Sequence, residues 1–323
     1  MEFHLEFTPK QFSEKIRHSD KLLLIGSCFT EQIGSKLANH KFKTLDNPNG
    51  ILFNPISISK SLQSYIDNKQ YTEADLFYQN ESWNSWEHHS RFSNPDKDAC
   101  LNGINASQNK AHEFLKTADW LLITLGSAFV YELENKDVVA NCHKVPTDKF
   151  NKKLLSVNEV VQAIEKVHNA LQATNPRLQT IYTISPVRHL RDGFVENNRS
   201  KATLHLAVQQ LTQQPDRHYF PAFELVMDDL RDYRFYAEDM VHPNYAATNY
   251  VWKKFISTCI DADSQFLMEE INKINAAKNH KAFNPTSEQH RKFMKTNLDK
   301  VIRLQEEHSY IDFSEEINVF GSL

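Results

Sequence analysis

A serine hydroxyl attacks an ester at neutral pH only when a base within hydrogen-bond reach removes its proton. One serine here is placed for that work. Ser27, in Gly26-Ser27-Cys28-Phe29, follows the apolar run Lys21-Leu22-Leu23-Leu24-Ile25, so it is expected at the carboxyl end of a strand. Open parallel sheets bind ligands at that edge. Far downstream, Asp239-Met240-Val241-His242-Pro243-Asn244 spaces an acid and an imidazole three residues apart. Within one turn the Asp239 carboxylate can orient the ring of His242, which would deprotonate Ser27. The simpler alternative is a serine at a helix start and an acid–imidazole pair in a surface turn. Joint placement, after a first strand and before a last helix, favours a Ser-Asp-His hydrolase. Cys28 is the rival nucleophile, because a thiol near a helix N-terminus can be activated. In a tight elbow consecutive side chains diverge, so only one of the two faces the pocket.

Arg188 and His189 follow a third apolar strand and could hold an anionic group of the substrate, since a guanidinium fork matches carboxylate and phosphate. An ion pair between Arg188 and an acid in 228–239 is the structural alternative.

The elements that must position these groups alternate. Residues 22–25, 120–125 and 179–184 are short continuous apolar runs, as expected of strands buried on both faces. Helices are expected at 30–39 with Thr30 as N-cap, and at 57–68, 106–117, 157–173, 201–213 and 245–258. Phe129, Tyr131 and Leu133 suggest a short strand. A last strand is expected at 219–227, at an edge or bulge because of Pro221. Such alternation predicts βαβ units: an α/β fold, flavodoxin-like, with three α/β/α layers around a mostly parallel sheet. Residues 1–261 would form this domain. Residues 262–323 are highly charged, with Leu267, Ile271 and Ile274 on one helical face, and read as a helical C-terminal appendage that packs on the core, pairs with another subunit or caps the site. Residues 310–323 show no clear pattern.

The same residues carry a resemblance. The chain resembles the GSCFA family, named for the tetrapeptide seen here plus an alanine that Thr30 replaces, within the wider SGNH (GDSL-type) hydrolases. Similarity is densest at 24–30, 47–55, 83–90, 126–131, 185–201 and 239–244, and spans roughly the first 260 residues. The resemblance implies Ser27 as nucleophile and Asp239 and His242 as its triad partners. It also implies an oxyanion hole built from the N–H of Ser27, a glycine N–H from a second block and an asparagine from a Gly-x-Asn-Asp block. Asn47-Pro48-Asn49-Gly50 supplies Gly50, but the third block reads Leu125-Gly126-Ser127-Ala128 and lacks the asparagine. Loss of one such donor costs about two to three orders of magnitude in turnover. Either Gly126, Ser127 or Asn54 substitutes, or the site is weak. The irregular, aromatic-rich segment 71–105 lies between the two blocks, so it should border the pocket, with Trp86 and His88 as substrate contacts; alternatively its tryptophans only cover apolar surface.

Composition narrows the function. The 323 residues can bury a sizeable core, at roughly 150 residues per domain. A net charge of -4 offers nothing to a polyanion, so no nucleic-acid partner is expected. No stretch approaches the about 20 apolar residues that span a bilayer, and the amino terminus lacks the pattern of a signal peptide, so no membrane partner and a cytoplasmic location are expected. Cys28, Cys100, Cys142 and Cys259 are scattered, with neither disulfide nor zinc spacing. Adjacent pairs such as His88-His89 and Cys142-His143 point in different directions, so no metal is expected. Gly26, Gly50 and Gly126 are three of only seven glycines, which points to sharp strand-to-loop turns and excludes dinucleotide and P-loop motifs. The expected activity is cofactor-free cleavage of a small-molecule ester through an acyl-enzyme, with an acylated sugar or aryl ester hinted at by the insertion. A noncatalytic small-molecule or glycan-binding protein on the same fold, or an O-acyltransferase, is the alternative. An oligomer could form through the C-terminal helices.

Overall fold

A computed structural model describes residues 5–322. Five strands form one sheet: β1 (Lys21–Gly26), β2 (Lys43–Asp46), β3 (Trp120–Leu125), β4 (Gln179–Ile184) and β5 (Arg217–Tyr219). Their order is β2-β1-β3-β4-β5 and every pairing is parallel. Side chains alternate across a strand, and both faces here are apolar. Leu23 and Ile25 of β1, Leu121 and Ile123 of β3 and Tyr182 of β4 face one core with α2 (Pro55–Asp67), α3 (Lys97–Leu115), α4 (Val157–Thr174) and α5 (Gly193–Leu211). Leu22, Leu24, Trp120, Leu122 and Ile181 face the other with α1 (Cys28–Asn39) and α6 (Tyr245–Cys259). The result is the three-layer α/β/α fold that the alternation of elements predicts.

Several boundaries differ from expectation, each for a local reason. The first helix starts at Cys28, with Ser27 rather than Thr30 as its N-cap. The third starts at Lys97 under the Asp96 cap, which accepts a hydrogen bond from Ala99 N, so the irregular segment ends earlier than 105. An antiparallel hairpin, Phe77–Gln79 with Ser82–Asn84, occupies its middle. The strand at Phe129–Glu132 pairs with Asn151–Leu154, whose polar sequence gave no sign of it. The last strand is only Arg217–Tyr219, at the edge of the sheet. Pro221 has no N–H to extend the ladder, and residues 222–230 turn helical instead, ending in an i to i+5 segment, Leu225–Leu230, closed by Arg231 N to Val226 O at 3.2 Å.

Beyond Asp261 three helices follow: α7 (Ala262–Lys278), α8 (Glu288–Glu307) and α9 (Ser314–Gly321). The last lies where no pattern was evident. Leu267, Ile271 and Ile274 pack with Val301, Leu304, Phe313 and Phe320 into a separate apolar cluster. Glu316, fully buried, ties it to the core by accepting from Lys41 Nζ at 2.6 Å and Lys278 Nζ at 2.8 Å. Among the described residues no helix is long and apolar enough to cross a membrane.

The end of β1 depends on one glycine. Gly26 has φ +142°, and a Cβ there would lie 2.2 Å from Thr124 O on β3. Gly26→Ala should therefore separate the paired ends of β1 and β3, at a cost of at least ~2 kcal/mol from backbone strain and clash together. A urea unfolding midpoint equal to that of the parent protein would contradict this.

Candidate active site

In a sheet of this order successive strands are added on opposite sides of β1, and the crevice between β1 and β3 beyond their carboxyl ends is the ligand-binding position of such folds. Two loops build that rim. After β1, Gly26 N donates to Asn47 Oδ1 at 2.8 Å and Gly26 O accepts from Leu52 N at 2.9 Å, so the 47–52 loop wraps the strand end. Ser27 follows as the N-cap of α1 with extended backbone, φ -70° and ψ 174°, and makes no side-chain capping bond. Its hydroxyl is fully buried and has no hydrogen-bond partner. Neighbouring Cys28 is a poor competitor, because burial pushes its thiol up and the reactive thiolate becomes scarce.

The second loop carries the acid and the imidazole. Asp239 Oδ2 is 2.6 Å from His242 Nδ1, and its Oδ1 accepts from the backbone N–H of Val241 and His242, both at 3.0 Å. These bonds, led by that of the His242 N–H, hold the Asp239 carboxyl down to about 2. An ionised carboxylate only accepts. Nδ1 of His242 must then carry the ring proton toward Asp239, leaving Nε2 as the basic nitrogen. Ala237 N to His242 O, 2.8 Å, closes the loop on itself, and Arg188 N donates to Val241 O at 3.2 Å.

Arg188 lies against this loop. Its guanidinium lies over the rings of Tyr236 and Tyr233, 4.2 and 5.1 Å from their centroids, and donates to Met240 O at 3.4 Å. Through this bond and that of its backbone N–H to Val241 O, Arg188 holds the Asp239–His242 loop. His189, next in sequence, turns the other way. Its Nε2 approaches Gly126, lies out of solvent and lacks a partner.

The expected oxyanion donors are all engaged. Ser27 N donates to Thr124 O at 3.2 Å, Gly50 N to Asn47 O at 2.8 Å, and Gly126 N and Ser127 N both to Phe53 O at 2.8 and 2.9 Å. Asn54 caps α2, accepting from Ser57 N at 2.8 Å and donating to Ser57 Oγ at 3.0 Å. The Ser127 hydroxyl pairs with Ser200 Oγ at 3.2 Å and accepts from Phe129 N at 3.0 Å. Trp86 and His88 make contacts within the insertion. Trp86 stacks on Phe77 at 3.7 Å, and buried His88 bonds Ser85 Oγ at 2.9 Å between the rings of Tyr71 and Phe92. The insertion meets the rim through other residues: His89 N donates to Asn49 O, the His89 side chain packs on Gly50, and Arg91 donates to Asn47 O.

Sequence reasoning missed Lys201 at this rim. Its buried ammonium donates to Gly126 O and Ser185 O, both at 2.7 Å, the first carbonyls beyond β3 and β4. Burial pushes its basicity down to about 7. Lys201 thus staples the ends of two adjacent strands. A signal existed: Asn197, Ser200, Lys201 and Leu204 recur at helical spacing and all are buried, a core-facing stripe that is polar at its start.

Two large clefts lie elsewhere. One of about 800 Å³ runs between α1, α6, α7 and α9, and one of about 740 Å³ between α2 and α4. Neither is lined by Ser27, Asp239 or His242. Among the described residues no three His, Cys, Asp or Glu side chains are grouped to hold a metal ion.

Because the folded carboxyl of Asp239 ionises below the ordinary aspartate value, its bonds stabilise the fold above that value and the contribution is lost as pH falls toward about 2. Carboxyl carbon titration by NMR should place the Asp239 midpoint near 2, and Asp239→Asn should flatten the fall of the urea midpoint between pH 4 and 2. An Asp239 midpoint at its ordinary value would mean the three bonds are absent in solution.

Family descriptions match most of the chain: the GSCFA family over residues 21–255, and the GSCFA domain protein, C-terminal domain, over residues 271–322. No curated protein matches. Among solved structures, a carbohydrate esterase family 3 protein from Talaromyces cellulolyticus is 11% identical over 79% of this chain and 99% of its own, with a TM-score of 0.35. An acetyl esterase mutant with acetate ion is likewise 11% identical over 79% and 99%, with a TM-score of 0.36. Both likenesses are remote. Ser27, the Asp239–His242 loop and the sheet that presents them fall within the first family match, and the chain belongs to the GSCFA family.

Proposed function

We propose that the protein is a serine ester hydrolase of the SGNH type, with Ser27 as nucleophile, His242 as general base and Asp239 as the group that orients it. The observation that carries this reading is the 2.6 Å Asp239–His242 bond, set on a loop clamped to the rim that Ser27 also borders. His242 Nε2 would take the Ser27 proton as the Oγ–carbonyl carbon bond forms. The carbonyl pair moves onto oxygen, and collapse expels the alcohol, which leaves with that proton. Water then repeats the sequence on the acyl-serine. Ser27 Oγ has no partner here, so the serine–imidazole bond would form on substrate binding, as catalytic bonds commonly tighten in the loaded site.

The second reading, a noncatalytic binder of small esters or glycans, is favoured by a different observation: the backbone donors expected to form the oxyanion hole are bonded within the fold. A fluorophosphonate probe separates the two, since covalent capture requires an activated serine. Stoichiometric labelling of the parent protein, lost in Ser27→Ala and kept in Cys28→Ala, is expected. Hydrolysis of p-nitrophenyl acetate should follow the same pattern, and Asp239→Asn should lower kcat by about 10⁴ through the wrong imidazole tautomer. Labelling that survives Ser27→Ala but not Cys28→Ala would transfer the role to the thiol, and no labelling at all would favour the binder.

A further inference from the structure

We infer that His189 supplies the oxyanion-stabilising donor of this site, its neutral imidazole Nε2–H bonding the substrate carbonyl oxygen as that oxygen gains charge; this rests on the esterase reading of Ser27. The asparagine that would serve is missing from Leu125-Gly126-Ser127-Ala128. The N–H groups of Ser27, Gly50, Gly126 and Ser127 are bonded to carbonyls, and the Asn54 amide is held by Ser57. His189 stands apart from this bonded set, with Nε2 out of solvent and unpartnered. In the tautomer that carries its proton on Nε2, this nitrogen is free to donate to an incoming group.

Its surroundings suit that group. A Cβ built on Gly126 would lie 3.2 Å from Nε2 and 3.2 Å from Phe53 Cδ1. Nε2 therefore sits close against Gly126, the first residue beyond β3. The ring stands edge-on to Phe53 at 5.1 Å, and the backbone is fixed by His189 N donating to Asn197 Oδ1 at 2.9 Å. Burial, followed by the Lys201 ammonium and then the His242 ring, pushes His189 down to about 3. At pH 7 it is an uncharged ring that can donate without surrendering its proton, a known device for polarising a carbonyl. In the step, the Ser27 Oγ–carbon bond forms, the carbonyl π pair localises on oxygen, the serine proton passes to His242, and His189 only donates a hydrogen bond.

The test uses the full-length protein and p-nitrophenyl acetate. His189→Ala should lower kcat by about 10² to 10³ with KM changed only a few-fold. His189→Gln, which restores a neutral N–H at similar reach, should recover at least about tenfold of that loss. Gly126→Ala, whose methyl would press on Nε2 at 3.2 Å, should also lower kcat. Affinity for a boronic acid, whose tetrahedral adduct presents an oxyanion to the site, should fall in parallel with kcat across these variants, while thermal midpoints stay near the parent. Full activity in His189→Ala, with the parent active and Ser27→Ala dead, would overturn this inference and leave the esterase reading intact. So would inactivation by His189→Ala that Gln does not relieve, coupled with activity in His242→Ala, because His189 would then be the base. An inactive, unlabelled parent protein would instead remove the esterase reading, and this inference with it.

Discussion

The backbone of Gly26 makes close contact with the Thr124 carbonyl in a space that admits no side chain, and the rim is organised from there. That approach lets β1 stay paired with β3 to its last residue. The N–H of Ser27 then reaches the same carbonyl, and the Asn47 side chain and Leu52 amide hold Gly26 from the other side. Helix α1 starts at the next residue, so Ser27 has no freedom to choose its direction. The hydroxyl is placed by a strand and a helix together, which is a more rigid mount than a loop provides.

The acid and the imidazole are mounted differently. Their loop lies half in solvent and is closed by its own hydrogen bonds, with Arg188 gripping it through two tyrosine rings and a carbonyl. Three bonds to Asp239 keep it ionised and so fix which nitrogen of His242 bears the proton. Order in this part of the site comes from charge and hydrogen bonding, whereas around Ser27 it comes from packing. Lys201 links the two regimes, because the carbonyls it bridges belong to the ends of β3 and β4, from which the Gly126 and Arg188-His189 segments depart.

How much of this is legible in the chain depends on what the pattern records. Leu22 to Ile25 and the run at Trp120–Leu125 are readable because burial on both faces demands continuous apolar sequence. The helix at Val157–Thr174 is readable because its apolar residues repeat. Residues 222–227 mislead, since Leu225, Val226 and Met227 look like a strand while Pro221 has already ended one. The start of α5 is hidden because its buried face is Asn197, Ser200 and Lys201, and polar residues at helical spacing resemble surface. Asp239 and His242 stand out through type and separation. Whether Gly50 or Gly126 has a free N–H does not, because a backbone donor is occupied or free according to chain segments remote in sequence. The positions of Arg188 and His189 at a strand end are readable, but the divergence of their side chains, one under the loop and one toward Gly126, is a matter of tertiary geometry.

The rim is composed of two materials with different tolerance for change. The strand end at Gly26 leaves no room for a side chain, since a Cβ there would lie 2.2 Å from Thr124 O. The 71–105 segment that reaches it through His89 and Arg91 is an aromatic hairpin and a helix with its own small core. Evolution could therefore exchange one contacting surface for another on this scaffold while the strand-end geometry beneath it stays fixed.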